Sequence, residues 1–103
     1  MYNGVNLEMR DYELVAIISP EQDDGQVAEV IKRMGKLITD RGGTVEEVKQ
    51  WGKKKLAYPI KKFLEGNYIL TRFKLEPNLI KEFEATLRTS EEILRYLVVK
   101  VGD

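Results

Sequence analysis

The sequence predicts an α+β domain in which a four-stranded antiparallel sheet carries two helices on one face. Three observations predict it. Two segments space their apolar residues as helices do. Four others alternate or run apolar as strands do, and the order along the chain is β-α-β-β-α-β. That order is the split βαβ, or ferredoxin-like, arrangement. Right-handed crossovers put both helices on the same side of the sheet and leave its other face open. A length of 103 residues suits one such domain.

Residues 1–8 lack periodicity and read as a flexible N-terminal extension, with the domain spanning 9–103. The first strand starts at Arg10. Tyr12, Leu14, Ala16 and Ile18 share one face, and Glu13, Val15 and Ile17 the other. Both faces turn apolar toward Ile18, which suits a central strand covered at least partly on both sides. Asp23 is then a helix N-cap, with Gln26 placed to reach back. Val27, Val30, Ile31, Met34, Leu37 and Ile38 fall on one helical face. Gly42-Gly43 supplies the left-handed stop.

Residues 44–60 read as a long second strand. Gly52 inside it predicts a bulge or bend. Pro59 has no amide proton and belongs at an edge or a strand end. The turn is expected over 61–66, with Gly66 inside it, and 67–75 as the return strand of a hairpin. Pro77 opens the second helix at its favoured first position, with Leu79, Ile80, Phe83 and Leu87 facing inward. Residues 93–101 form the last strand.

The chain has no His and no Cys. Thiol nucleophiles, disulfides, zinc sites with those ligands and imidazole catalysis are therefore excluded. The lack of Cys fits a cytosolic protein. No stretch approaches the ~20 apolar residues of a membrane span, so no membrane partner is expected. The adjacent acids Asp23/Asp24, Glu46/Glu47 and Glu91/Glu92 fall at a cap, on an edge strand and in a turn, with nothing to set two carboxylates across a pocket. Arg41-Gly42-Gly43-Thr44 follows a helix rather than a strand, so it reads as a C-cap and not a phosphate loop. The expectation is no enzyme, no cofactor, no metal and no small-molecule substrate.

The net charge is zero, but it is split. Residues 1–48 hold five basic and ten acidic side chains; residues 49–103 hold twelve and seven. Within 49–75 there are eight basic residues against Glu65 alone. Lys53, Lys54, Lys55, Tyr58, Lys61 and Lys62 interleave charge with an aromatic ring, as Arg10, Tyr12, Arg95 and Lys100 do on the first and last strands. Lys and Arg neutralise phosphates, and Arg and Tyr stack on exposed bases. Lysines on an edge strand also serve simply to keep it from pairing. Neighbouring first and fourth strands would let Arg10, Tyr12 and Arg95 or Lys100 share one sheet edge. Tyr12, Tyr58, Tyr68 and Phe73 are candidates for an open-face contact surface. The stacking pattern of the common RNA-recognition module fails, because Asn67 and Ile69 occupy its aromatic positions. A module of the same fold that docks only protein is the first competing reading, and a small enzyme or metabolite sensor of that fold, which requires a deep pocket with a perturbed ionisable group, is the second.

The run Gly52-Lys53-Lys54-Lys55-Leu56-Ala57-Tyr58-Pro59-Ile60 resembles the signature of the bacterial small-subunit ribosomal protein six family. Met9-Arg10-Asp11-Tyr12-Glu13, Gly66-Asn67-Tyr68 and Arg95-Tyr96-Leu97-Val98-Val99-Lys100 agree with it, so the resemblance covers residues 9–101. It implies a structural, non-catalytic, cytoplasmic and ribosome-associated protein. It implies binding to the central domain of small-subunit ribosomal RNA, in the platform, as a heterodimer with ribosomal protein eighteen. Arg10, Tyr12, Arg95 and Lys100 match the family's RNA-facing positions. The 53–60 run matches its long second strand, which with Lys61 and Lys62 is expected to serve the protein partner or act as a secondary basic surface. Residues 1–8 lie outside the family pattern, and the long acidic tail of some members does not carry over.

Overall fold

A computed structural model describes residues 8–102. The extension expected over 1–8 lies outside the described residues except for Glu8. The elements are β1 (Arg10–Ile18), α1 (Asp24–Thr39), β2 (Thr44–Ile60), β3 (Phe63–Leu75), a 3-10 turn (Pro77–Leu79), α2 (Ile80–Arg88) and β4 (Ile93–Lys100). The strands form one four-stranded sheet in the order β2-β3-β1-β4, every pairing antiparallel. This is the ferredoxin-like arrangement the sequence predicts, with β2 and β4 as its edges.

The helices cover the face that carries Tyr12, Leu14, Ala16 and Ile18 of β1. Apolar side chains placed there leave water at about 1.5–3 kcal/mol each, which is the main force holding the layers together. Val27, Val30, Met34 and Ile38 of α1, and Phe83 and Leu87 of α2, close over Ile69, Phe73 and Leu75 of β3. Phe73 links the layers, its ring 5.6 Å from Tyr12 and 5.3 Å from Phe83. Tyr12 and Phe73 are thus core residues, not open-face contacts. Of the four aromatics expected on the open face, Tyr68 shares it with Ile17, and Tyr58 stands out on the hairpin.

Asp23 caps α1 as expected. Its Oδ1 accepts from the Gln26 amide at 2.8 Å, and Gln26 Oε1 accepts from the Asp23 amide at 2.8 Å. Such a cap contributes about 1 kcal/mol. Gly42 then takes φ +81°. Gly43 lies so close to the sheet that a Cβ would sit 2.4 Å from the Lys74 carbonyl oxygen.

The hairpin differs from expectation. The turn is only Lys61 and Lys62, with Ile60 opposite Phe63, so β3 begins four residues earlier than 67. Two-residue hairpin loops match the strand twist only with positive φ at both central positions. Lys61 and Lys62 adopt φ 50° and 76° without being glycine. That backbone costs roughly 1–2 kcal/mol per residue, and no turn residue marks the site. Gly66 belongs to β3, where a Cβ would meet Ile17 Cγ2 at 2.4 Å. Its glycine serves close approach, not chain reversal.

Candidate functional site

The first and last strands are neighbours, and Tyr12 pairs with Lys100. Arg10 lies just beyond that pair, exposed, with an ion pair to Glu8 at 3.0 Å. Arg95 is elsewhere. It opposes Ile17, five positions along β1 from Tyr12, or about 17 Å at ~3.3 Å per residue. It also points to the open face, whereas Lys100 shares the register face of Tyr12. Of the two residues expected beside Arg10 and Tyr12, Lys100 is there and Arg95 lies at a separate place. Tyr12 itself is only 7% exposed, and burial pushes its hydroxyl above the ordinary tyrosine range. It supports this end of the sheet from within and does not present its ring.

Arg95 instead joins the other predicted group. β3 overshoots the end of β1, since Ile18 pairs with Asn67 and residues 63–66 run on past it. β2 follows it, bent at Gly52 where φ is +79° and the register shifts. The hairpin tip thereby crosses the end of β1 and reaches β4. Arg95 donates a hydrogen bond to the Tyr58 hydroxyl, and its guanidinium sits 5.5 Å from the centre of the Tyr58 ring. Beside them a cleft is lined by Lys61, Arg88, Leu94, Arg95 and Tyr96. Arg88 Nη2 donates to Tyr96 Oη at 3.3 Å.

This cluster of three cations and two tyrosines comes from β2, the turn, α2 and β4. Arg88 and Tyr96 were not singled out in the sequence. Their signal is spatial: the C-terminus of α2 and the start of β4 are brought together only by the crossover. Lys53, Lys54 and Lys55 lie further down β2 opposite Asn67, Gly66 and Glu65, on the outer edge.

The charges separate into two kinds. Arg72 and Lys74 over the middle of the sheet, Arg33 of α1 and Arg41 just after it are paired, while Lys32 of α1 is not. Arg72 meets Glu13 at 2.6 Å, Lys74 meets Asp11 at 2.8 Å, Arg33 meets Glu92 at 3.1 Å and Arg41 meets Glu82 at 2.7 Å. The hydrogen bond to Glu13 holds Arg72 above its ordinary pKa, and that to Asp11 does the same for Lys74. By contrast Lys53, Lys54, Lys55, Lys61, Lys62, Arg88, Arg95 and Lys100, and on the helices Lys32 and Lys81, have no carboxylate within ion-pair distance among the described residues. An unpaired cation keeps its full charge for an external anion.

A groove of about 340 Å³ lies between the helices, floored by Val30, Met34, Leu37 and Leu87. Its rim charges Arg33 and Lys36 are engaged by Glu92 and Asp40. Among the described residues no group of three acids is placed to hold a metal ion.

An α+β sheet with an open face, a rim of unpaired cations and, among the described residues, no group of three acids placed for a metal has the architecture of a small binding domain. Comparison with known proteins gives that class its particular family. Residues 11–100 match the family model described as ribosomal protein S6. Small ribosomal subunit protein bS6 of Moorella thermoacetica is 41% identical over 92% of this chain and 97% of its own. Its counterpart in Caldanaerobacter subterraneus is 39% identical over 92% and 100%. The crystal structure of 30S ribosomal protein S6 from Thermotoga maritima superposes with a TM-score of 0.85 at 32% identity, over 90% of this chain and 88% of that one. The chain belongs to the ribosomal protein S6 family. Members of this family are structural proteins of the small ribosomal subunit, not enzymes.

Proposed function

We propose that this chain, through one domain spanning 9–103, binds the central domain of small-subunit ribosomal RNA cooperatively with ribosomal protein eighteen. The observation that carries the reading is the distribution of unpaired cations. Eight of them lie on β4, at the end of α2 and along the hairpin, against Lys32 and Lys81 on the helices, while Arg72 and Lys74 in the middle of the sheet are neutralised. Phosphates bind such a rim by releasing counterions. Tyr58 and Tyr96 add stacking surfaces beside Arg95 and Arg88, as single-stranded RNA loops require.

RNA contacts are assigned to Arg95, Arg88 and Lys61 at one end of β4 and to Lys100 and Arg10 at the other. Ribosomal protein eighteen is assigned to the hairpin edge carrying Lys53, Lys54 and Lys55. A neutral chain with a local cationic rim binds RNA weakly alone. A partner that pre-organises the hairpin lowers the ordering cost of the joint complex. The docked state is associated with ribosomes in the cytoplasm.

The experiment is a filter-binding titration of a labelled central-domain RNA fragment, with and without ribosomal protein eighteen, at two salt concentrations. The expected result is binding that is tight only with both proteins and falls steeply with salt. Arg95→Glu weakens it by roughly tenfold or more, since one lost phosphate contact and one new repulsion each count for about 1 kcal/mol. Absence of salt-dependent binding under every condition overturns the reading in favour of a protein-only module.

A further inference from the structure

The cleft beside the hairpin tip has a volume of about 330 Å³ and brings Lys61 of the turn, Arg88 of α2 and Arg95 of β4 to one place. Among the described residues no carboxylate lines it. Its two arginines are also held differently from others in the chain. Arg33, Arg41 and Arg72 are held by carboxylates, which cancel their charge. Arg95 instead donates to the Tyr58 hydroxyl, and Arg88 Nη2 donates to Tyr96 Oη at 3.3 Å. A neutral hydroxyl fixes the direction of a guanidinium and leaves its charge intact. Arginine has five N–H donors, so most of each fork stays free for phosphate oxygens.

The backbone adds to these donors. Val101 N–H donates to the Asp11 carbonyl at 2.8 Å. From there antiparallel alternation turns the Arg95 amide toward β1 and the Tyr96 amide outward, where no strand lies beside it. The last carbonyls of α2 would repel an anion, but those of Thr86 and Leu87 already accept from the Thr89 and Ser90 amides at 3.3 and 3.1 Å.

From these groups we infer that the cleft is a binding site for a pyrophosphate group, either the inorganic anion or the diphosphate of a nucleotide. Charge decides the class. One backbone phosphate of RNA carries a single negative charge and leaves most of a three-cation cleft uncompensated. A terminal phosphate carries about −1.5 to −2, and a second phosphate beside it adds more. Two adjacent phosphates also offer oxygens to two arginine forks at once. The exposed ring of Tyr58, against Arg95, is a stacking surface for the base of a nucleotide. Once occupied, the cleft excludes an RNA phosphate, and that consequence alone rests on the RNA reading above.

The test is a titration of the full natural chain, without RNA or partner protein, followed by backbone amide NMR shifts. The probes are sodium pyrophosphate and adenosine diphosphate in metal-free buffer. Sodium chloride at matched ionic strength is the blank, and circular dichroism checks the fold of each variant. The expected result is saturable shifts centred on Lys61, Arg88 and Tyr96 with both probes. Arg88→Gln weakens binding roughly tenfold, the loss of one charge-assisted contact. Tyr96→Phe keeps every charge but releases Arg88, and weakens binding about threefold to fivefold. Lys32→Gln removes an equally unpaired cation from α1 and leaves binding unchanged. Tighter binding of adenosine diphosphate assigns the group to a nucleotide, and equal or weaker binding assigns it to the inorganic anion. Shifts no larger than the chloride blank overturn the inference. So does binding that Lys32→Gln weakens as much as Arg88→Gln, because charge in general then holds the anion. With no RNA present, either failure leaves the RNA reading to its own filter-binding test.

Discussion

The two edges of the sheet solve opposite problems. β2 is long, carries Lys53, Lys54 and Lys55 in a row, bends at Gly52 and places Pro59 near its end. Each device blocks another strand from pairing: charge repels, the bend breaks the register and proline withholds a donor. β4 carries none of these over residues 96–99. The difference teaches that an edge can recruit in two ways. β2 offers side chains to a partner while denying it the backbone. β4 offers the backbone itself, bordered by Arg95 and Lys100. A partner on β2 is therefore held by salt-sensitive side-chain contacts, and one on β4 by hydrogen bonds and apolar strips.

The comparison breaks first where both edges share support. Leu14 lies at the centre of β1, fully buried between β3 and β4. Leu14→Asp places an unpaired charge in the core and is expected to unfold the chain, losing several kcal/mol, as read by denaturant titration. Leu14→Ala is expected to cost about 2–5 kcal/mol and leave a folded, weakened protein.

The guarded edge is sharpened at its bend. Gly52→Ala forces a Cβ into positive φ and is expected to cost about 1–2 kcal/mol. Because the bend carries the hairpin tip to β4, it should also loosen the contact between Tyr58 and Arg95. Quenching of the intrinsic fluorescence of Trp51, the single tryptophan next to the bend, reports the change.

The turn gives a smaller effect with opposite signs in stability and binding. Lys61→Asn with Lys62→Gly supplies residues suited to positive φ and is expected to stabilise the fold by about 1 kcal/mol. The same pair removes two free cations from the tip, so RNA affinity with ribosomal protein eighteen should fall. A gain in both would show that the lysines are there for neither partner.

The smallest effect is in acid. Glu92 is held below the ordinary carboxylate range by its own backbone amide, then by Arg33 and Ser90. Its folded pKa is depressed, so its contribution is present at neutral pH and is lost as pH falls through the acid range below its ordinary value. Glu92→Gln should flatten the acid limb of stability against pH without changing either edge.

Much of the fold was legible from the sequence. β1 and α1 announce themselves because buried faces impose strict periodicity, and the Asp23–Gln26 cap is a local motif. The turn was misplaced because Lys61-Lys62 carries no turn chemistry while Gly66, nearby, does. Tertiary context holds the strained loop, and a close approach to Ile17 explains the glycine. The burial of Tyr12 was already implied by its sharing a face with Leu14. The meeting of Tyr58, Arg88, Arg95 and Tyr96 was not legible. It depends on how far the hairpin overshoots β1 and on the bend at Gly52, neither of which the local pattern encodes.

The most direct measurement is amide hydrogen exchange on the dilute chain alone and in the complex with central-domain RNA and ribosomal protein eighteen. The account predicts slower exchange in the complex along residues 95–100 and along the hairpin over 53–62, with the outer surfaces of α1 and α2 unchanged. Unchanged exchange along both edges, or new protection confined to the helices, would contradict it.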